Sequence, residues 1–144
     1  GAPLSLIVLD LDNFKAVVDG HGHLVGSRTI GQVGRRIAAL LRPGDVAARF
    51  GGDEFVVILS DTKTDDALAL AERLRASIEI MDLLEGTTID VSSVTASLGV
   101  ASFPDHARTA EGLFQAADRA MYTAKARRKN LVVLASGADT PVAG

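Results

Sequence analysis

The stretch Arg49-Phe50-Gly51-Gly52-Asp53-Glu54-Phe55 decides the reading of this chain. It lies between two apolar runs, Val46–Phe50 and Glu54–Leu59, which read as strands. Gly51-Gly52-Asp53 reads as a hairpin tip, because glycines supply the positive φ that such turns need. A plain solvated turn accounts for exposed acids, but it needs neither both glycines nor both Asp53 and Glu54. Working back toward the N-terminus, Leu4–Leu11 (LSLIVLDL) is a short, nearly continuous apolar run. Its length and β-branched content suit a strand buried on both faces. It runs out in Asp10-Leu11-Asp12. A carboxylate is a costly core residue unless it is paired. At a strand's exit it can hold a hard cation; the plain alternative makes Asp10 and Asp12 turn and cap residues. If this strand lies beside the hairpin, Asp10, Asp53 and Glu54 converge. Three carboxylates around one or two Mg²⁺ ions make a site for phosphoryl or nucleotidyl transfer, and one of them can take a proton from an attacking hydroxyl.

The remaining elements follow from periodicity. Asp12 is a candidate N-cap for a short helix carrying Phe14 and Lys15. Gly20, Gly22 and Gly26 read as a loop, followed by a helix with Ile30, Val33, Ile37 and Leu40 at helical spacing. Pro43-Gly44 closes it. Thr62–Asp66 opens another helix, with Leu70, Leu74, Ile78 and Met81 on one stripe and Gly86 as breaker. Thr87–Phe103 alternates as a strand or hairpin. Thr109–Arg127 is a helix with Leu113, Ala117, Ala120, Met121 and Ala124 inward, and Leu131–Leu134 is a last strand. Residues 1–134 form the domain, and 135–144 read as a flexible tail. Strands alternating with helices, hairpins included, give an α/β (α+β) class with a mixed sheet.

Composition narrows the function. The 144 residues carry 15 Lys+Arg against 18 Asp+Glu, a net charge of −3, which argues against a general nucleic-acid binder. With no cysteine, disulfide scaffolds, zinc–thiolate sites and cysteine nucleophiles are excluded. No apolar run approaches transmembrane length and no signal peptide stands out, so the segment reads as cytoplasmic. His21, His23 and His106 have no metal-binding spacing and read as loop residues.

Basic residues complete the pattern. Lys15 follows the first acids. Lys125 and Lys129 are four apart and share a face if the last helix continues; lysines reaching one cleft would neutralise a triphosphate. Arg127 and Arg128 read as a solvated helix end, favoured by the dipole. Arg42-Pro43-Gly44-Asp45 is either a local ion pair, worth little on a surface, or a grip on a guanine base and a phosphate.

In this order the pieces resemble the GGDEF domain, the diguanylate cyclase fold. Arg49–Phe55 carries the signature. Asp10-Leu11-Asp12-Asn13-Phe14-Lys15, Gly22-His23 with Gly26, Val94-Thr95 through Val100, Ala117-Asp118 through Tyr122, and Ala124-Lys125 stand around it over nearly the whole chain. Such a set is far more specific than any lone motif. The resemblance implies a five-stranded mixed sheet wrapped by helices, related to polymerase palms. It implies one nucleoside triphosphate per domain and a homodimer whose two halves face each other. Each 3′-hydroxyl would attack the other nucleotide's α-phosphate, releasing pyrophosphate and a cyclic dinucleotide, a bacterial second messenger. By position, Asp10, the Leu11 carbonyl and Asp53 would hold Mg²⁺ (or Mn²⁺). Asp53 or Glu54 would help deprotonate the hydroxyl, and Lys15 would stabilise the transition state. Lys125 and Lys129 would hold phosphates, and Asn13 and Phe14 would offer backbone N–H groups to them. Arg42 and Asp45 match the inhibitory product site. An N-terminal sensor or receiver domain would drive dimerisation, so this segment reads as an excised catalytic domain, mostly monomeric alone.

Two positions depart from the family pattern. Where it has Asn and Asp to read guanine, this chain has Val18 and Ser27. A carboxylate accepts from guanine N1–H and N2–H₂, whereas a hydroxyl donates or accepts and suits adenine as well. The chain thereby resembles the hybrid promiscuous subgroup, which uses ATP beside GTP and makes cyclic GMP-AMP. Arg128-Lys129-Asn130 stands for the family's Gly-Arg-Asn, a milder change. The leading expectation is a cyclic-dinucleotide synthase with relaxed base choice. A GTP-only cyclase is the alternative within the enzyme class, and a non-catalytic module binding GTP or cyclic di-GMP is the alternative outside it. A haloacid-dehalogenase-type phosphatase, with Asp10 as nucleophile, leaves Gly51–Phe55 unexplained and needs a longer chain.

Overall fold

A computed structural model of the chain describes residues 2–136. The elements run β1 (Leu4–Asp12), α1 (Phe14–His21), α2 (His23–Leu40), β2 (Val46–Arg49), β3 (Glu54–Ser60), α3 (Thr64–Glu79), β4 (Thr95–Phe103), α4 (Ala110–Arg127) and β5 (Val132–Leu134). Five strands form one sheet in the order β2-β3-β1-β4-β5. β1 lies antiparallel to both β3 and β4, β2 antiparallel to β3, and only β4–β5 is parallel.

The central place of β1 explains its apolar run. Successive side chains point to opposite faces. Ile7, Leu9 and Leu11 join the core formed with α2 and α3, while Leu6 and Val8 join the core under α4. Both sets are buried, and the one polar residue before the strand's exit, Ser5, is buried with its hydroxyl bonded to the Thr62 carbonyl and the Ser102 hydroxyl. Alternation then puts Asp10 and Asp12 on the α4 side. On β3, Phe55, Val57 and Leu59 face α2 and α3, which leaves Glu54 on the α4 side too.

Aromatic residues make up only 4% of the chain, and small side chains pack closely in their place. The buried face of α4 holds Leu113, Ala116, Ala117, Ala120, Met121 and Ala124. Gly99 of β4 lies beneath it, and a Cβ there would sit 2.0 Å from the Ala117 carbonyl oxygen. No side chain fits in that gap, so glycine lets the helix backbone rest on the sheet. Thr109 caps α4, its hydroxyl accepting from the Gly112 N–H at 3.0 Å.

Several expectations are corrected. Asp12 is not a helix cap: it is the last residue of β1 and fully buried. The residue ahead of α1 is Asn13, in the left-handed region at φ 62. Gly20 and Gly26 are helical rather than loop residues, and only Gly22, at φ 91, breaks α1 from α2. Gly22 alone has a conformation helices exclude; Gly20 and Gly26 merely lack side chains. His21 and His23 therefore belong to helices. The strand expected over Thr87–Phe103 begins only at Thr95. Before it, turns closed by bonds such as Thr87 N–H to Leu84 O and Val94 N–H to Val91 O absorb the backbone. α3 ends at Glu79, short of Met81 and Gly86. Ala135 is not part of a loose tail: it is buried and donates to the Val100 carbonyl at 2.7 Å. The rest of the expected tail, 137–144, lies outside the described residues. Among the described residues no helix is long and apolar enough to cross a membrane.

Candidate functional site

Sheet register builds the acidic part of the site. Asp10 stands opposite Glu54 across β1–β3, and the Leu11 N–H donates to the Asp53 carbonyl at 3.0 Å. Arg49 closes the hairpin tip, its guanidinium donating to the Gly52 carbonyl through Nη2 at 2.7 Å. Burial pushes the Asp10 carboxyl up to about 6 against the pull of Lys125, and neighbouring Asp53 adds to the rise. Glu54 is pushed up to about 7 by burial and by Asp118, Asp10 and Asp53. Burial also raises Asp118, which belongs to α4.

Lys125 crosses from α4 to this acidic edge. Its ammonium donates to the Leu11 carbonyl at 2.9 Å and lies 3.0 Å from Asp12 Oδ1 and 3.4 Å from Asp10 Oδ1. Asp12 is a structural carboxylate rather than a free ligand. It accepts from the Ser97 and Thr95 hydroxyls, each at 2.7 Å, and from the Asn130 N–H at 2.9 Å. Burial works against its charge, but the hydrogen bonds from Thr95, Ser97, Lys125 and Asn130 hold it below the usual carboxylate range.

The donor set suits a hard divalent cation. Asp10 Oδ1 is buried and accepts no hydrogen bond. Asp53 stands beside it, and the Leu11 carbonyl accepts from the Lys125 ammonium that also lies 3.4 Å from Asp10 Oδ1. Among the described residues no three acidic or histidine side chains form a ready-made metal cage, so the expected convergence of Asp10, Asp53 and Glu54 is only partial. Two carboxylates and a carbonyl leave positions for substrate and water oxygens, which is the habit of Mg²⁺.

The first turn of α1 is left open. Asn is a favoured cap, yet no side chain caps this helix. The Asn13 amide instead donates to the Ser93 carbonyl at 2.8 Å. The free first-turn N–H groups are the usual place for an anion. Lys15 is exposed in that same turn, and Phe14 packs on the core.

Val18 lies on α1 and Ser27 on α2. Val18 packs on Gly26, where a Cβ would lie 2.8 Å from Val18 Cγ2. Ser27 is exposed beside it. Lys129 is not brought to Lys125. α4 ends at Arg127, and Lys129 turns away with φ 60, exposed on a groove with Glu72, Glu79 and Arg128. The shared helical face therefore does not exist.

Arg42 and Asp45 stand at the far end of β3. The Arg42 Nε–H and Nη2–H groups donate to Asp45 Oδ2 and Oδ1 at 3.1 and 3.2 Å. Arg42 also donates to the Ser60 carbonyl and the Thr62 hydroxyl. The sequence reading passed over Asp118, Thr95, Ser97 and Asn130 as site residues. The alternating Thr95 and Ser97 on one strand face were the available signal for a buried acceptor.

Comparison with known proteins finds matches over nearly the whole chain. The family model described as diguanylate cyclase, GGDEF domain, matches residues 1–131. Diguanylate cyclase A of Treponema denticola is 37% identical over 132 residues, covering 91% of this chain and 35% of that protein. Response regulator PleD of Caulobacter vibrioides is 37% identical over 133 residues, covering 92% and 29%. The chain thus spans about a third of these curated relatives. Among solved structures, the GGDEF domain of YfiN from Pseudomonas aeruginosa aligns with TM-score 0.86 and 36% identity, covering 94% of this chain and 83% of that one. The GGDEF domain of DgcB from Caulobacter crescentus, solved in complex with c-di-GMP, aligns with TM-score 0.83 and 29% identity, covering 93% and 78%. With the family model spanning residues 1–131 and the fold aligning at TM-score 0.86, the chain belongs to the GGDEF domain family.

Proposed function

We propose that this domain joins two nucleoside triphosphates into a 3′,5′-linked cyclic dinucleotide, with GTP as a substrate: each 3′-hydroxyl attacks the other nucleotide's α-phosphate, the α–β anhydride bond breaks, and two pyrophosphates leave. The observation that carries the reading is the acidic edge: Asp10, whose buried Oδ1 accepts no hydrogen bond and has only the Lys125 ammonium at 3.4 Å, beside Asp53 and the Leu11 carbonyl. Asp10, Asp53 and the Leu11 carbonyl would hold Mg²⁺ or Mn²⁺. When bound, the ion neutralises phosphate charge and lowers the pKa of an attacking hydroxyl.

This chain's residues do the rest. The open first turn of α1, at Asn13 and Phe14, receives phosphate oxygens. Lys15 and Lys125 neutralise the triphosphate, and Lys15 stabilises the negative charge that builds on the α-phosphate oxygens and the leaving pyrophosphate. Lys129 reaches phosphate only if its side chain swings back from the α3 side. Glu54 or Asp53 takes the 3′-hydroxyl proton, and the burial that raises Glu54 favours a base working near neutral pH. One domain holds one nucleotide, so turnover needs two copies face to face. Arg42 and Asp45 bind product at the far end of β3, once the product competes for their mutual pairing.

Base choice is relaxed in the same proposal. Ser27 is exposed and Val18 is turned into packing against Gly26, so neither supplies the acceptor pair that singles out guanine. ATP then enters beside GTP, and cyclic GMP-AMP accompanies cyclic di-GMP. A guanine-only reading is favoured by the similarity to proteins named diguanylate cyclases. Incubation at high protein concentration with Mg²⁺ and equimolar ATP and GTP, with products identified by mass, separates the two. Cyclic GMP-AMP as a major product supports relaxed choice, and cyclic di-GMP alone removes it. If a verified dimer gives no product, the domain is a nucleotide-binding module.

A further inference from the structure

We infer that Asn130, gripped by Arg75 and Glu79 of α3, is a positioning residue that holds Lys125 at the acidic edge. Lys125 sits on a long flexible stem, so its placement depends on what fixes its acceptors. One of them, Asp12, receives four donors. Ser97 and Lys125 bond Oδ1, and Thr95 and the Asn130 N–H bond Oδ2. Thr95, Ser97 and Lys125 come from regular elements, β4 and α4. The fourth donor comes from the turn after α4, where Lys129 and Asn130 both lie in the left-handed region, at φ 60 and 49. L-residues disfavour that region, and two in succession need outside support.

The support comes from the opposite side of the sheet. Asn130 Oδ1 accepts from Arg75 Nη1 at 2.8 Å, and Asn130 Nδ2 donates to Glu79 Oε2 at 2.9 Å. Arg75 is itself fixed by Glu72, through Nη2 at 2.6 Å, and by Glu79. A bonded path thus runs from the α3 surface through Asn130 and Asp12 to Lys125. The arrangement is more than a local brace, because it ends on a cationic group rather than on backbone. What Lys125 is positioned for rests on the proposed nucleotide reading; its placement does not.

Two measurements test the inference. In the ligand-free domain with ¹⁵N-labelled lysine, the Lys125 ammonium gives a protected NMR signal in the wild type. That signal is lost in Asn130→Ala and in Glu79→Ala. Glu79→Gln, which keeps an acceptor for Asn130, retains it. An unchanged signal in both alanine variants overturns the inference. Glu79 is half-exposed on α3, so its variant stands in if Asn130→Ala does not fold. Binding of a non-hydrolysable GTP analogue with Mg²⁺ then weakens about tenfold in each alanine variant and within about twofold in Glu79→Gln, the scale of a hydrogen bond to a charged group. In a Lys125→Ala background the same changes add nothing. Equal weakening in that background reduces Asn130 to a structural brace and overturns the inference. If the wild type binds no analogue while the NMR signal behaves as expected, Lys125 positioning stands and the nucleotide reading falls.

Discussion

The two ends of the candidate site are built in different ways. The phosphate end is fixed by sheet register and cross-bonding: Asp10 faces Glu54, Leu11 bonds Asp53, and Asp12 is saturated by donors from β4, α4 and the turn beyond it. The proposed base end stands on α1 and α2, where Val18 and Phe14 both close on Gly26. Register tolerates no single-residue change of place, because a slip sends every side chain to the other face. An exposed residue such as Ser27 can be exchanged with little effect on folding. In the proposed reading, reaction chemistry is thereby held rigid while base choice is free to vary.

Breaking the rigid end has the largest effect. Asp53→Ala lowers turnover about 10³-fold or more, as loss of a metal and proton-transfer carboxylate should. Circular dichroism and melting temperature stay close to wild type, because Asp53 sits at a hairpin tip. A variant that keeps turnover removes Asp53 from the machinery. Gly99→Ala tests the packing behind that end. With a Cβ 2.0 Å from the Ala117 oxygen, α4 must lift from the sheet, costing about 3 kcal/mol or more in urea unfolding. A loss under about 1 kcal/mol would show that α4 does not need this close approach.

Changing the base end alters choice rather than stability. Ser27→Asp shifts the product ratio toward cyclic di-GMP by about tenfold, the scale set by one polar contact to a base. Its unfolding free energy stays within about 0.5 kcal/mol of wild type. An unchanged ratio would move base reading to other residues.

The smallest effect belongs to the Arg42–Asp45 pair, away from both ends. Burial acts against the Asp45 charge, but bonds from the Arg42 side chain and N–H hold its carboxyl below the ordinary value of 3.8. A depressed carboxyl stabilises the fold above its unfolded pKa, and that contribution fades as pH falls through the folded value. Asp45→Asn should therefore be slightly less stable than wild type at pH 7, with the gap closing below about pH 4. A gap that persists in acid would trace the loss to the asparagine itself rather than to the charge.

Much of this was legible in the residues. β1, β3 and the long helices declare themselves because burial on one or two faces imposes periodicity. The hairpin acids and Asp10 stand out because charge at the end of an apolar strand requires a reason. Other features have no local signal. Asp12 looks like a cap in sequence, and only its burial against Thr95 and Ser97, more than eighty residues away, makes it a structural acceptor. Lys125 and Lys129 look like one face, until two left-handed residues after α4 separate them. Gly26 looks like a loop breaker, yet its value is the room it gives Val18. The sequence by itself determined most of the strands and helices and the acidic tip, because each rests on side-chain type and spacing; the departure at Val18 and Ser27 shows only against the family it resembles. Which acid is free, which lysine reaches it, and what holds that lysine were decided only in three dimensions. Hydrogen bonds between distant segments obey geometry and leave no period in the chain.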